Sequence, residues 1–422
     1  ASTITGTPPV TQDINVSSGT GESPKAAIYE LTTATALDTI TDSGRIGCGI
    51  TDGTSQYAFG MTWEDGISSS TADCDGRSDN ATVIQFPTTA GGSVLDGEAA
   101  WVQWNTDGSR ISWADLLATG CLLKATYFFG TEITCSVNLV SSGTTQDTDF
   151  SLAGLSFAPT FCFALGGGAT WVANGALANA RYGLGYACRN SFTGGVLQAG
   201  SWMYGTDRNN PTLCGQSLYD TRIFRSITGA AEGVGVEVKS FNSDGITFTQ
   251  RDAVTQITFP VLSIGLPKHR VWVGVPSLVT SSAGNKTITE PGFKPKAYFF
   301  IGTMLASKNA GVLDTTASHM SHGTVSTTEA TCTSLQAEDN ITSAASDTRS
   351  LTGTKVAHII TDTGTTDWAA SHVSMGAFGP VINIDTASGA DRQTVLCAIS
   401  EDPKSAPPIW HQPPRVHRRM RM

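Results

Sequence analysis

Three short stretches of this chain share one pattern, a proline followed by an apolar run, and they are evenly spaced. SPKAAIYEL begins at Ser23, APTFCFALG at Ala158 and KPKAYFFIG at Lys294. Their prolines stand at 24, 159 and 295, giving intervals of 159 − 24 = 135 and 295 − 159 = 136. A Ser/Thr/Gly-rich segment precedes each run: NVSSGTGE (Asn15–Glu22), LVSSGTTQDTD (Leu139–Asp149) and LVTSSAGNKTITE (Leu278–Glu290). Such a period is too long for a solenoid repeat or a propeller blade and has the size of a domain. The 422 residues are therefore read as an N-terminal arm (1–18), three repeats (19–138, 139–277 and 278–402) and a C-terminal tail (403–422).

Two further landmarks recur. RIGCGITDG (Arg45–Gly53) and RYGLGYACR (Arg181–Arg189) both open Arg-x-Gly-x-Gly, and WNTDGSRISW (Trp104–Trp113) matches FNSDGITFTQ (Phe241–Gln250). In the third repeat ITDTGTTDWA (Ile360–Ala369) is read as the same corner, with Gly364 kept and Thr363 in place of the Asp. Cys74, Cys214 and Cys332 fall at roughly matching places and are read as loop residues.

Short Thr-, Val-, Phe- and Tyr-rich runs broken by Gly and Asn favour strands and turns. The expected fold is all-β: three tandem β-sandwich or jelly-roll-like domains of seven to nine short strands each. The best helical candidates are only ISWADLLATG (Ile111–Gly120) and TSLQAED (Thr333–Asp339).

Asp107 and Asp244 sit among aromatics and could be ligand carboxylates. The alternative places Asp107-Gly108 and Asp244-Gly245 in type I′ hairpin corners, where Gly supplies a positive φ. A turn tolerates replacement of the Asp in the third repeat and a catalytic site does not, so the corner reading is preferred. The paired glycines lack the following helix that a phosphate loop needs. No Gly-x-Ser-x-Gly, His-Glu-x-x-His or Walker motif occurs in the sequence. His319, His322, His358 and His372 gather in the third repeat and are read as surface residues rather than a metal site. No catalytic residue, cofactor or metal is expected.

The chain carries a formal charge of −10 and nine cysteines. The charge argues against an electrostatic nucleic-acid binder, and odd, scattered cysteines argue for a reducing compartment. ASTITGTPPV has no basic and apolar signal-peptide pattern, and no apolar run of 18 residues predicts a membrane span. The tail differs from the body. It holds five prolines, Trp410 and a basic end with Arg415, Arg418, Arg419 and Arg421, and is read as a docking segment for an acidic protein surface.

The succession SPKAAIYEL, RIGCGITDGTSQYAFG, DCDGRSDNATVIQF and WVQWNTDGSRISW, together with Phe293-Lys294-Pro295-Lys296-Ala297, resembles repeat domains of tailed-bacteriophage and prophage virion proteins. Thr160 stands where the family pattern has Lys. The resemblance implies a non-enzymatic virion component, assembled in the host cytoplasm. It would be a head decoration or fibre-like protein contacting other virion proteins and other copies of itself. The alternative from another class is a receptor- or glycan-binding module of a tail or cell surface.

Overall fold

The structure is a computed structural model. It describes residues 8–400 except 17–19, 35, 43–44, 64–73, 89–93, 118–120, 167–170, 172–174, 179, 192, 206–213, 229–230, 253–255, 310–312, 316, 327–328, 339–347 and 362–363. All of its regular elements are β-strands. The first unit comprises β1 (Val10–Asn15), β2 (Ala26–Thr32), β3 (Thr41–Asp42), β4 (Arg45–Thr51), β5 (Gln56–Trp63), β6 (Cys74–Asp79), β7 (Ile84–Pro87), β8 (Leu95–Asn105), β9 (Gly108–Asp115) and β10 (Leu122–Phe128). The second comprises β11 (Thr134–Ser141), β12 (Thr148–Leu152), β13 (Phe161–Gly166), β14 (Gly175–Ala178), β15 (Ala180–Arg189), β16 (Val196–Gly205), β17 (Cys214–Tyr219), β18 (Phe224–Thr228), β19 (Ala231–Phe241), β20 (Ile246–Gln250) and β21 (Thr258–Gly265). The third comprises β22 (Arg270–Gly274), β23 (Gly284–Thr287), β24 (Ala297–Thr303), β25 (Leu313–Thr315), β26 (Ala317–Val325), β27 (Ala330–Glu338), β28 (Thr348–Thr352), β29 (Lys355–Ile360), β30 (Thr366–Met375), β31 (Pro380–Thr386) and β32 (Thr394–Ser400).

Each unit is a sandwich of a large and a small antiparallel sheet. The small sheets run β1-β9-β8-β7, β12-β20-β19-β18 and β23-β31-β30-β29. The large ones run β10-β2-β4-β5-β6-β14, β11-β21-β13-β15-β16-β17-β25 and β22-β32-β24-β26-β27-β28-β3. Three of these strands are lent between units. The first unit gives β3 to the third, the second gives β14 to the first, and the third gives β25 to the second. The same relation applied three times closes on itself, as in a cyclic trimer, here within one chain. Two matching turns mark the exchange. Asp38 and Asn309, both left-handed (φ 60° and 53°), donate their amides to Leu351 O and Leu218 O of the neighbouring unit. Short polar side chains carry this conformation at low cost.

The ring explains the apolar runs behind the prolines. Every residue of β2 is buried, and so is every residue of β13. Along β2, Ala27, Tyr29 and Leu31 pack into the sandwich of their own unit. Ala26 and Ile28 point the other way, into a core shared with Phe163 and Leu165 of the second unit and Phe299 and Ile301 of the third. A strand covered on both faces loses the alternation of a half-buried strand. The three units are not separate beads; their large sheets back onto one common core.

Several expectations are corrected by this topology. Residues 10–15, assigned to the arm, form β1 of the first sandwich. β11 begins at Thr134 and belongs wholly to the second unit, and β22 belongs to the third, so both boundaries move toward the N-terminus. The two helical candidates fall on β9 and β27; pairing with β8 and with β26 and β28 overrides their local pattern. Cys74 and Cys214 open equivalent strands, whereas Cys332 lies inside β27 opposite Gly323. None of the three is in a loop.

Candidate functional site

The Arg-x-Gly-x-Gly stretches form β4 and β15. A methyl group on Gly49 or Gly185 would meet Val83 O at 2.0 Å or Ile223 O at 1.7 Å, where the chain crosses from large to small sheet. Gly323 meets Val356 O at 1.9 Å in the same way. The third copy of the motif is therefore His319-Met320-Ser321-His322-Gly323, on β26. Its spacing of 323 − 185 = 138 residues was the signal available, masked because His replaces Arg and Ser replaces the first Gly. This register sets His322 on the counterpart of Cys48 and Leu184, inside the shared core.

Strand alternation turns Glu30 of β2 toward that core, beside Ile28. Lys124 of β10 is its direct cross-strand partner. Lys124 Nζ lies 2.5 Å from Glu30 Oε2 and donates to His322 O at 2.9 Å. His322 Nδ1 lies 2.9 Å from Glu30 Oε1, and the hydroxyl of Tyr186 on β15 meets His322 Nε2. The rings of Tyr186 and His322 pack against Phe299, with centroids 5.5 and 6.0 Å away. Glu30 and Lys124 come from the first unit, Tyr186 from the second and His322 from the third, so the cluster joins all three.

The cluster is dry: the side chains of Glu30, His322 and Lys124 are 0, 1 and 3 % exposed. Burial opposes ionisation of Glu30, but His322 and Lys124 more than offset it and hold the carboxyl below the usual carboxylate range. For His322 burial lowers proton affinity more than Glu30 raises it. A neutral imidazole reconciles the two. Its Nδ1–H faces Glu30, its Nε2 accepts from Tyr186, and the carboxylate charge is balanced by Lys124. The equivalents of Glu30 are Leu165 and Ile301, and those of Lys124 are Pro260 and Val395, as the strand registers show. Chemically the four groups resemble a proton relay. Physically they are walled off from solvent and bring side chains of all three units into contact.

The histidines expected at the surface are thus mostly inside. His319 and His358 are 5 and 8 % exposed. Burial takes the His358 imidazole down to about 4, with Lys355 adding to the effect, and its ring contacts Ser350 Oγ and Thr366 Oγ1 at 3.0 Å each. Only His372 remains half-buried; its Nδ1 is 2.9 Å from the Tyr298 hydroxyl. No group of three or more His, Cys, Asp or Glu side chains arranged to hold a metal occurs among the described residues.

The corners are structural but differ from a type I′ turn. At the first, Asp107 alone among the non-glycine corner residues has positive φ (67°), and Gly108 does not. The Asp107 carboxylate accepts from the Thr20 hydroxyl at 2.8 Å, the Gly21 amide at 2.6 Å and the Thr20 amide. The Thr20 contact, with the backbone donors, holds its carboxyl below the usual range. At the second corner neither Asp244 nor Gly245 has positive φ, and Asn242 N donates to Gly245 O at 2.8 Å. The glycines are needed for another reason. A Cβ on Gly108 or Gly245 would lie 2.0 Å from Ile14 O or Leu152 O, on the adjoining edge strand.

By that criterion Gly379 is the third counterpart, with Ile288 O at 2.0 Å and an interval of 379 − 245 = 134. Gly364, assigned to this place from the sequence, instead turns the chain between β29 and β30 with φ 69° and open space around it. Thr363 lies outside the described residues, as do Trp410, Arg415, Arg418, Arg419 and Arg421 of the tail. Among the described residues, Asp107, Gly108, Asp244, Gly245 and Gly364 are turn and packing positions and do not come together into a site. The cluster that joins the units was not expected. Its sequence signal was a lone Glu30 inside AAIYELT.

No protein-family model matches the chain, and no curated protein matches it.

Proposed function

We infer that this chain is a non-enzymatic structural component of a tailed-phage virion, a decoration protein built to sit at a threefold or quasi-threefold position of a protein lattice. The observation that carries the reading is the closed exchange of β3, β14 and β25 among three units of one chain. A molecule with threefold pseudosymmetry presents three similar faces to a threefold environment, and one chain then replaces three subunits. Two further features support it. The cluster of Glu30, Lys124 and His322 lies in a core without solvent access. The exposed large apolar residues, among them Leu37, Val94, Val102 and Phe378, are scattered through the chain, as suits contacts spread over several neighbours more than one ligand pocket.

The test is to purify phage particles from cells carrying this sequence, quantify the chain by mass spectrometry and locate it by cryo-electron microscopy. The expected result is density on the particle surface centred on threefold positions, at one chain per position. Absence from particles, or turnover of a glycan or ester substrate by the isolated chain, contradicts the reading.

A further inference from the structure

The large sheets of the second and third units each end in a strand that precedes the small-sheet edge: β11 on β21, and β22 on β32. β10 is the counterpart of β21 and β32. Phe128 faces Ala26 across the sheet as Ile264 faces Phe161 and Ile399 faces Ala297. Yet among the described residues β10 has a neighbour on one side only, β2. Where an equivalent of β11 would lie there is a cleft of about 540 Å³, lined by Leu123–Tyr127 together with Ile14 and Val16 of the first unit and Tyr298 and Thr324 of the third.

An antiparallel strand turns alternate N–H and C=O pairs to each side, so about half of the β10 backbone groups face this cleft. Unpaired edges normally carry a proline, a bulge or an outward lysine that blocks pairing. The β10 sequence LLKATYF has no proline and pairs with β2 without a bulge. Its one charged side chain, Lys124, is committed inward to Glu30. Strand lending is already how this molecule joins its units, through β3, β14 and β25.

We propose that the β10 edge is a strand-acceptor site, filled in the assembled protein by an extended segment of another polypeptide that runs antiparallel to β10. The occupant is of the β11 and β22 kind. Those strands put small apolar residues at alternate positions toward the shared core, Cys135 and Val137 in one and Val271 and Val273 in the other. An alternating apolar strand entering the cleft would pair the backbone groups that face it and cover the half-buried Ile14, Ala125, Tyr127 and Thr324. The proposal does not depend on the virion reading, since it concerns only what the edge will bind.

The experiment uses the full chain and a fluorescent peptide copying residues 133–141, with Cys135→Ser to remove the thiol. Anisotropy titration is combined with hydrogen exchange read by mass spectrometry. The expected result is saturable one-to-one binding, at least tenfold slower exchange over Leu122–Phe128, and no binding of a scrambled peptide. Concentration-dependent self-association of the chain that the peptide suppresses would also support the proposal. Rapid exchange at β10 with no peptide binding overturns it, as does binding that leaves β10 exchange unchanged. It is equally overturned if β10 is already protected without peptide and loses that protection when residues 1–7 are deleted. The chain would then be filling its own edge.

Discussion

Glu30 is ionised in a place where the other two units carry Leu165 and Ile301. Among the described residues its full charge partner is Lys124, so removing one of the two strands the other. Lys124→Met should cost about 3–5 kcal/mol, because an uncompensated buried carboxylate remains. Replacing both with residues the other units use, Glu30→Leu with Lys124→Val, should be near neutral or stabilising. Denaturant midpoints of the wild type, the single variant and the double variant check this. A double variant as damaged as the single one would mean that the pair itself holds the ring together. Protonation tests the burial of His358 and Glu30. His358, lowered from 6.5 to about 4, is held neutral by the fold. Its contribution, about 3 kcal/mol, is complete above pH 6.5 and is lost as pH falls toward 4. Glu30, whose carboxyl is held below its ordinary 4.5, contributes above pH 4.5 and loses that contribution as the pH falls further. The denaturant midpoint should therefore be level above pH 7, fall from about 6.5 and fall again below 4.5. A midpoint unchanged between pH 7.5 and pH 5 would contradict the burial of His358. A glutamate in an apolar strand was visible in the sequence. Its partners were not, because Lys124 is reached through sheet pairing and His322 through the closing of the ring.

At the scale of elements, glycine spacing carried most of the readable information. Gly49 and Gly185 were legible as a repeat and Gly323 was not, since the neighbours that identify the motif changed while the close approach that requires a glycine did not. Gly49→Ala, Gly185→Ala and Gly323→Ala should each destabilise by about 1–3 kcal/mol or more, since the new methyl must displace a backbone carbonyl. Gly195→Ala, whose nearest neighbour would be the Thr193 hydroxyl at 3.4 Å, should be tolerated and serves as the control. Thermal shift measurements compare the four; equal effects would refute the packing argument. The two Asp-Gly corners also separate. Asp107→Ala should speed amide exchange at Thr20 and Gly21 several-fold, because it removes their acceptor, while Asp244→Ala should leave the equivalent loop unchanged. The corner pattern gave the correct register for two units and a wrong one for the third. A hairpin corner and a close-packed strand start both read as glycine after polar residues. Only the carbonyls of Ile14, Leu152 and Ile288 tell them apart. The strand assignments of Ile111–Asp115 and Thr333–Glu338 were likewise set by neighbours that local pattern does not reveal.

For the whole molecule, the period of about 135 residues gave three all-β units. Doubly buried strands such as AAIYELT and FCFALG recorded that something covers their second face. What covers it is the rest of the chain. Two boundaries were misplaced because β11 and β22 sit beside the ends of the preceding units in sequence but pair with the following ones in space. A unit cut out on its own, such as residues 130–267, would bare the face carrying Phe163, Leu165 and Met203 and lose the strand β25 lent to it. It should not persist as a monomer in sedimentation experiments. The central claim is that the three units share one core and stand or fall together. The most direct measurement is hydrogen exchange of the full chain at rising denaturant concentration, followed separately in β2, β13 and β24, the middle strands of the three units. The closed ring predicts that all three lose protection in one transition at the same denaturant concentration. Stepwise loss, one unit at a time with different midpoints, would contradict it.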